Sequence, residues 1–429
     1  MYIYSQENSS IMYRIIYLVL FFEISVCYPA HIQGQTGKLM AGAYEAVINP
    51  PDSAYMAGYG QDRRSTCVHD NIYVKAVAVS NNENAVVFVT FDCIGLPFPV
   101  LQQIRDAVEK RIPASQFDVR HIIASSTHTH AGPDVIGIWG KDVQHSGVDN
   151  AYISFLINKA ADVITNAWKH RHAVTARYAI SSFGKGWVEN VSDSAEIDRE
   201  VTVLQLLNSR GKNIATLTNF ACHPTILDGN NTLISADYPS GFYKYMKSKI
   251  GGINLFLQGA IGGWVQPEHV PRNFETAEKK GSELAQSVLT ALQSSAKPIA
   301  GNDINFRSKV FEIPVRNNPL TELAYAGIIK RDIADGTLTE IAWCSIGNAS
   351  FVTQPGETSP LYSLRTKQLM KNDGPKFILG LGMDELGYIL KPEFFKEGTT
   401  LHAAKYLRSM SPGEQASEVM MHRIEELLK

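Results

Sequence analysis

The sequence is poor in the features that mark several protein classes. It holds 5 cysteines with no Cys-x-x-Cys pair, and those beyond Cys27 (Cys67, Cys93, Cys222 and Cys344) are widely spaced. That excludes a small disulfide scaffold and a zinc ribbon. Cys93 and Cys344, inside apolar runs, read as small buried hydrophobes. Neither sign of charge dominates, since 40 Lys and Arg stand against 42 Asp and Glu. Such a chain has no field for holding a polyphosphate backbone, so nucleic acid is not expected as a partner. Disorder is excluded by 45% hydrophobic against 19% charged residues, a composition that fills a large core. Beyond residue 40 there is no low-complexity linker and no internal repeat.

One apolar run stands out, the 8 residues Ile15 to Phe22. It is too short to span a bilayer. With Arg14 before it, and Glu23 and a small-residue, polar exit after it, it reads as a secretory leader over residues 1–35 with Met12 as a candidate start. A buried N-terminal strand is the alternative. Cys27 is a candidate for lipid attachment after cleavage, against which stands the bulk of Val26 just before it. The expectation is a secreted or periplasmic protein with one body over residues 36–429. Its oligomeric state does not follow from these residues.

Within that body, strand-like runs alternate with helical ones. Strands are predicted at Ile72–Ser80, Ala85–Phe91, Arg120–Ala124, Val174–Ile180, Val201–Leu207, Ile214–Phe220, Ile253–Leu257, Glu340–Ile346, Ser350–Thr353 and Lys376–Leu381. Helical periodicity marks Val100–Ile112, Tyr152–Trp168 and Thr276–Leu292, and Pro412–Leu428 closes the chain with Ser411 as a cap. The class these patterns support is α/β, a single large mixed domain.

The strand ends are more informative. RHIIAS runs into STHTHAGPD, with His128 and His130; IATLTNF into ACHPT, with His223; INLFL into the glycine-rich QGAIGGW. SFVTQ runs into PGET, with Glu357, and KFILGLG into MDELGYI, with Tyr388. Ligands collect outside the carboxyl ends of strands in open α/β sheets, so one convergent site is expected there. His-x-His at a strand end puts two imidazoles on one side. Either both bind a metal, or one binds it while the other faces substrate. His223 and Glu357 would complete a nitrogen and oxygen set suited to zinc. Each residue alone has a plainer reading: His223 as a loop histidine, Glu357 as a carboxylate at the start of a helix over Ser359–Met370, Tyr388 as a half-buried aromatic. Asp237 in SADYP either caps the helix after it or orients His223.

In the order of its stretches the chain resembles the N-terminal catalytic domain of the neutral/alkaline non-lysosomal ceramidase family. The matching stretches are AGAYEAVINPP with AGYG (Ala41–Gly60), VTFDCIGL, STHTHAGPD, NFACHPT, ISADYPSGF, FLQGAIGG, QPGE and ELGYI. They cover nearly all of Ala41 to Leu428, and THTH-x-GP is the most specific. The resemblance implies one catalytic Zn2+ per chain, held by His128, His223, Glu357 and Tyr388. His130 would then serve as a proton shuttle or oxyanion partner, and the turn Gly259, Ala260, Gly262, Gly263 would border the substrate. The implied reaction is hydrolysis of the amide joining a fatty acid to a sphingoid base. The implied partner is a small-molecule or lipid N-acyl substrate, with peripheral membrane contact.

Three departures qualify this. The family's nucleophilic serine precedes the Pro that ends the glycine-rich turn, and here Gln266 precedes Pro267, with no Ser or Thr between Gln258 and Pro267. The family's Asn-Arg pair, whose Arg contacts substrate, reads Asn190-Val191. The family's C-terminal immunoglobulin-like domain is not expected in the residues after Tyr388. A covalent acyl-enzyme route therefore lacks its nucleophile, while zinc-activated water remains available. The alternatives are an esterase or other hydrolase on a non-lipid substrate, and a metal-containing binding protein without catalysis.

Overall fold

The computed structural model describes residues 38–429; the leader-like run and Cys27 lie outside the described residues. Four strands come first, β1 (Met40–Val47), β2 (Tyr73–Ser80), β3 (Ala85–Phe91) and β4 (Ile122–Ser126), and four follow, β5 (His172–Ser182), β6 (Glu200–Asn208), β7 (Asn213–Phe220) and β8 (Ile253–Gln258). With the short strand Lys297–Pro298 on β5, they form one 9-stranded sheet in the order β8-β7-β6-β5-β1-β2-β3-β4. A second sheet of 4 strands joins β9 (Ile304–Pro314), β10 (Gly336–Ile346), β11 (Ala349–Gln354) and, after the two-residue β12 (Glu357–Thr358), β13 (Lys376–Gly380). A last short strand, β14 (Tyr388–Ile389), pairs in parallel with β12, setting Glu357 opposite Tyr388.

One topology occurs three times. In each unit two antiparallel pairings are followed by a helical crossover to a parallel strand: β1-β2-β3 then β4, β5-β6-β7 then β8, and β9-β10-β11 then β13. The crossover helices are α1 (Phe98–Glu109), α3 (Tyr238–Ile250) and α5 (Pro360–Leu369). After the parallel strand come α2 (Asn150–Lys169), α4 (Phe274–Ser294) and α6 (Ala416–Leu427). No sequence repeat announces this. The units share only the alternation of short strands and amphipathic helices, which different side chains satisfy equally well.

The sequence accounts for most boundaries. The Asp149 carboxylate accepts from the backbone N–H groups of Ala151 and Tyr152 and starts α2, and Asn273 accepts from Thr276 N–H to start α4; each cap is worth about 1 kcal/mol. Strands β2 and β3 are buried along nearly their whole length, as expected for strands covered on both faces. The final helix starts later than the periodicity suggests. Ser411 Oγ accepts from Gly413 N–H in a turn, Pro412 and Gly413 stay outside the helix, and α6 begins at Ala416. Of the longer strands, β1 and β9 escaped the sequence reading, where small or charged residues interrupt the alternation. Among the described residues, no helix is long and apolar enough to cross a membrane.

Buried polar side chains tie the three parallel pairs together. Thr90 Oγ1 donates to the Phe256 carbonyl at 3.1 Å, and Gln258 Nε2 donates to the Thr127 and Cys222 carbonyls, both at 2.9 Å. Asn219 Nδ2 donates to Leu257 and Ile378 oxygens at 2.9 Å, and Met383 N–H donates to Ala124 at 2.8 Å. The carboxyl ends of β3/β4, β7/β8 and β11/β13 are thereby brought to one place.

Candidate metal centre

Each unit contributes from the carboxyl end of one or both of its last two strands. His128 and His130 follow β4, His223 follows β7, Glu357 follows β11, and Tyr388 follows β13. The pleat is not what pairs the two first histidines. β4 ends at Ser126, and His128 sits in the left-handed region with φ of 68°, a conformation costly for a non-glycine residue. That kink, held by His128 N–H donating to Cys93 O at 2.9 Å, turns the imidazole against His130 with ring centroids 5.0 Å apart.

The tautomers of the two outer rings follow from their partners. His128 Nδ1 lies against the Ile94 carbonyl at 2.5 Å, and His223 Nδ1 against the Val265 carbonyl at 2.8 Å. A carbonyl only accepts, so both Nδ1 atoms carry the proton and both Nε2 atoms turn a lone pair inward. Facing them is the Glu357 carboxylate, Oε1 at 3.4 Å from His128 Nε2 and Oε2 at 2.9 Å from His223 Nε2. All three side chains are buried. Acceptors facing acceptors at this depth repel unless a proton or a cation lies between them. Burial alone would raise the Glu357 pKa; with a proton on each facing Nε2, the charge and hydrogen bonds of His128 and His223 overcome it and lower the carboxyl to about 2.

His130 completes the cluster. Its ring lies 5.7 Å from that of His223, and nitrogens of His128, His130 and His223 all lie within 4.8 Å of one another. Both His130 nitrogens are buried without a hydrogen-bond partner. Burial, then the neighbouring His128, His223 and Arg63, pushes its pKa well below the usual histidine range, so the ring is neutral. Gly58, at φ of 98°, makes its space, because a Cβ there would come within 2.4 Å of the His130 ring. The donor set therefore fits a divalent cation of zinc type: two imidazole lone pairs, a carboxylate and a third imidazole beside them.

Of the other expected residues, Tyr388 lies on the cleft wall with His128 and Glu357, while Asp237 and the glycine-rich turn are not among its lining residues. Tyr388 is buried beside Glu357 and its hydroxyl accepts from Trp264 Nε1 at 3.0 Å; burial, then Glu357, pushes its pKa well above the usual range. Asp237 makes no hydrogen bond to His223, whose ring is oriented by the Val265 carbonyl. Its carboxylate accepts from Leu227 N–H at 2.8 Å and Tyr238 N–H at 2.6 Å, capping α3. The turn Gly259, Ala260, Gly262, Gly263 does not face the cleft. Gly262 N–H donates to Thr358 O at 2.8 Å, and a Cβ on Gly262 would come within 2.3 Å of Glu357 O. The turn is a floor beneath Glu357. Gly262→Ala is expected to cost about 1–3 kcal/mol, as overpacking does, and to weaken metal binding; an unchanged urea midpoint and metal affinity would contradict it.

Above the centre opens a cleft with walls that include Ile94, Ile136, Ile138, Trp139, Leu320 and Ile329. His128, His130, Glu357 and Glu385 are its polar end. No lining residue is a serine or cysteine, and Gln266, at the family's serine position, donates instead to Glu268 Oε1 at 2.5 Å. The sequence reading missed Glu385, Arg331 and Tyr406, all on the cleft wall. Arg331 forks onto the Asp384 carboxylate at 3.0 and 2.9 Å. Tyr406, pushed up to about 12 by burial and by Glu357 and Glu385, had no motif to reveal it.

Residues 45–247 match the family model of neutral/alkaline non-lysosomal ceramidase, N-terminal. Neutral ceramidase B of Dictyostelium discoideum is 23% identical over 192 residues, 40% of this chain and 26% of that protein. Neutral ceramidase A of the same organism is 24% identical over 234 residues, 49% of this chain and 32% of that protein. The match thus spans about a third or less of these relatives. The crystal structure of neutral ceramidase from Pseudomonas aeruginosa has the same fold, with a TM-score of 0.74 at 15% identity over 91% of this chain and 75% of that one. A ceramidase complexed with C2 gives the same TM-score of 0.74. The matched stretch carries His128, His130 and His223 together, so this part of the chain is similar to the N-terminal region of neutral/alkaline non-lysosomal ceramidases at the residues of the candidate centre.

Proposed function

We propose that this chain is a zinc-dependent hydrolase that cleaves the amide of ceramide or a related N-acyl compound with water as the attacking group. The observation that carries the reading is the pair of inward Nε2 lone pairs on His128 and His223 facing Glu357, at the polar end of an apolar cleft. The names of the relatives support it, as does a related structure described as complexed with C2.

Zinc bound to His128, His223 and Glu357 would supply a Lewis acid for the acyl carbonyl and acidify water. The chain supplies the rest. Neutral His130, with both nitrogens free, accepts a proton from the attacking water and returns it to the leaving nitrogen. Tyr388, its oxygen already accepting from Trp264, keeps its own proton to give to Glu357 or to the carbonyl oxygen. The aliphatic wall holds an acyl chain and excludes water. The absence of serine and cysteine from the cleft favours this route over an acyl-enzyme. We also read the protein as exported, on the leader-like run before residue 36, with its cleft taking substrate from a lipid surface.

The test is metal content of the purified protein, then turnover of ceramide, N-acyl amino acids and simple esters before and after chelation. Near-stoichiometric zinc with chelator-sensitive amide cleavage is expected. Faster ester than amide turnover would move the reading to an esterase, and bound zinc with no turnover at all would leave a binding protein.

A further inference from the structure

The turn Ile261–Val265 does more than lie beneath Glu357. Val265 N–H donates to Ile261 O at 3.0 Å and closes the turn. The Val265 carbonyl then takes both the backbone N–H and the Nδ1 proton of His223, each at 2.8 Å. Between them, Trp264 stands in the left-handed region with φ of 65°, directly after Gly263 at 81°. That conformation is costly for a residue with a Cβ and persists only where the surroundings impose it. Its effect is to aim the indole. Trp264 Nε1 reaches the Tyr388 hydroxyl at 3.0 Å, and the ring centroid lies 5.1 Å from that of His402 and 6.4 Å from that of Tyr406. The Tyr388 side chain makes no other hydrogen bond among the described residues. Trp264 itself is not on the cleft wall, whereas Tyr388, Tyr406 and Glu357 are.

We propose that Trp264 is a positioning residue for the metal centre: its indole N–H fixes the Tyr388 hydroxyl so that the phenol proton is held toward the Glu357 carboxylate. One turn thereby sets two groups of the centre, His223 through the Val265 carbonyl and Glu357 through Trp264 and Tyr388. The inference rests on the reading of His128, His223 and Glu357 as zinc ligands. An indole N–H only donates, so it occupies one side of the phenol oxygen and leaves the phenol proton the other. Tyr388 stands opposite Glu357 across the parallel pair of β12 and β14, and the carboxylate is the acceptor that this pairing offers. Without the indole N–H the hydroxyl rotates between both sides, and its bond to Glu357 becomes intermittent. Partners that orient a ligand in this way tune metal affinity as well as rate.

The experiment is a double-mutant cycle on the full chain with Trp264→Phe, which keeps a packed ring and removes the N–H, Tyr388→Phe, and both together. Zinc affinity is read by competition with a chromophoric chelator, and kcat and KM are read on ceramide. Tyr388→Phe should weaken zinc by about 10-fold or more, and Trp264→Phe by about 3- to 10-fold, the worth of one hydrogen bond. The double variant should bind zinc no more weakly than Tyr388→Phe, because the indole acts only through the phenol. Trp264→Phe should lower kcat by a similar 3- to 10-fold factor, with KM within about 2-fold of wild type. An unchanged melting curve identifies folded variants, and Trp264→Leu replaces Trp264→Phe in the cycle should the latter not fold. Equal losses from Trp264→Phe in both backgrounds would reduce the indole to packing and overturn the proposal, as would no loss from either single substitution. Wild type that takes up no zinc would overturn it together with the centre. Should wild type bind zinc but cleave no ceramide, the amide-hydrolase reading is what fails, and the affinity cycle alone decides this proposal.

Discussion

Replacing His223 with alanine is expected to empty the metal centre and abolish turnover. Removing a group that merely orients a ligand costs about 10–100-fold in metal affinity; removing a ligand costs more, so purified His223→Ala should carry little zinc where wild type is expected to hold a near-stoichiometric amount. Activity should fall by at least about 10³-fold, since both the Lewis acid and the acidified water go with the metal. The substitution also tests the electrostatics of the metal-free protein. There, with protons in place of the metal on the two facing imidazole nitrogens, the Glu357 pKa is lowered to about 2 from an ordinary value of 4.5. A depressed carboxylate pKa contributes stability that is present above the unfolded value and lost as pH falls through the folded one. With one imidazole gone, that loss begins at higher pH, and acid unfolding of metal-free His223→Ala should move upward from that of metal-free wild type. Full zinc content in the variant would refute the placement of the centre.

The second large effect lies beside the site. Asp384 is fully buried and its two oxygens accept five hydrogen bonds, from Phe98 N–H, Arg331 Nη1 and Nη2, Thr339 Oγ1 and Glu385 N–H. It joins the start of α1 to β10 and to the segment that carries Glu385. Asp384→Ala removes the carboxylate and leaves the Arg331 guanidinium, itself 4% exposed in its side chain, as an uncompensated buried charge. Breaking a buried pair in this way costs about 3–5 kcal/mol, which a urea titration would read directly. Arg331 and Thr337 line the cleft, so KM should rise as well. A shift below about 1 kcal/mol would show that water reaches Arg331 in place of the lost carboxylate.

The two predictions differ in how far the sequence led to them. His223 was visible because a histidine between an apolar run and a proline is unusual, and because THTH-x-GP and PGE stand at comparable strand ends. Glu385 lies inside ELGYI, where only Tyr388 was singled out, and Arg331 lies outside every motif. Only the fold puts them on the cleft wall. The glycine-rich turn shows the opposite error. Its residues were prominent in the sequence and were expected to border the substrate, but they serve backbone packing beneath Glu357. Asp237 was open between two roles, and its hydrogen bonds to Leu227 and Tyr238 N–H groups make it the cap.

By itself the sequence determined the mixed α/β class, most strands and helices, and the residue types of a zinc-like donor set. It could do so because hydrophobic periodicity and the chemistry of His, Glu and Tyr are local properties. The tertiary structure decided what depends on distance: the threefold recurrence of one topology, the left-handed turn that sets His128 against His130, and the carbonyls that point both outer imidazoles inward. It also decided which charged residues are buried, because burial is a property of the neighbours that folding brings together.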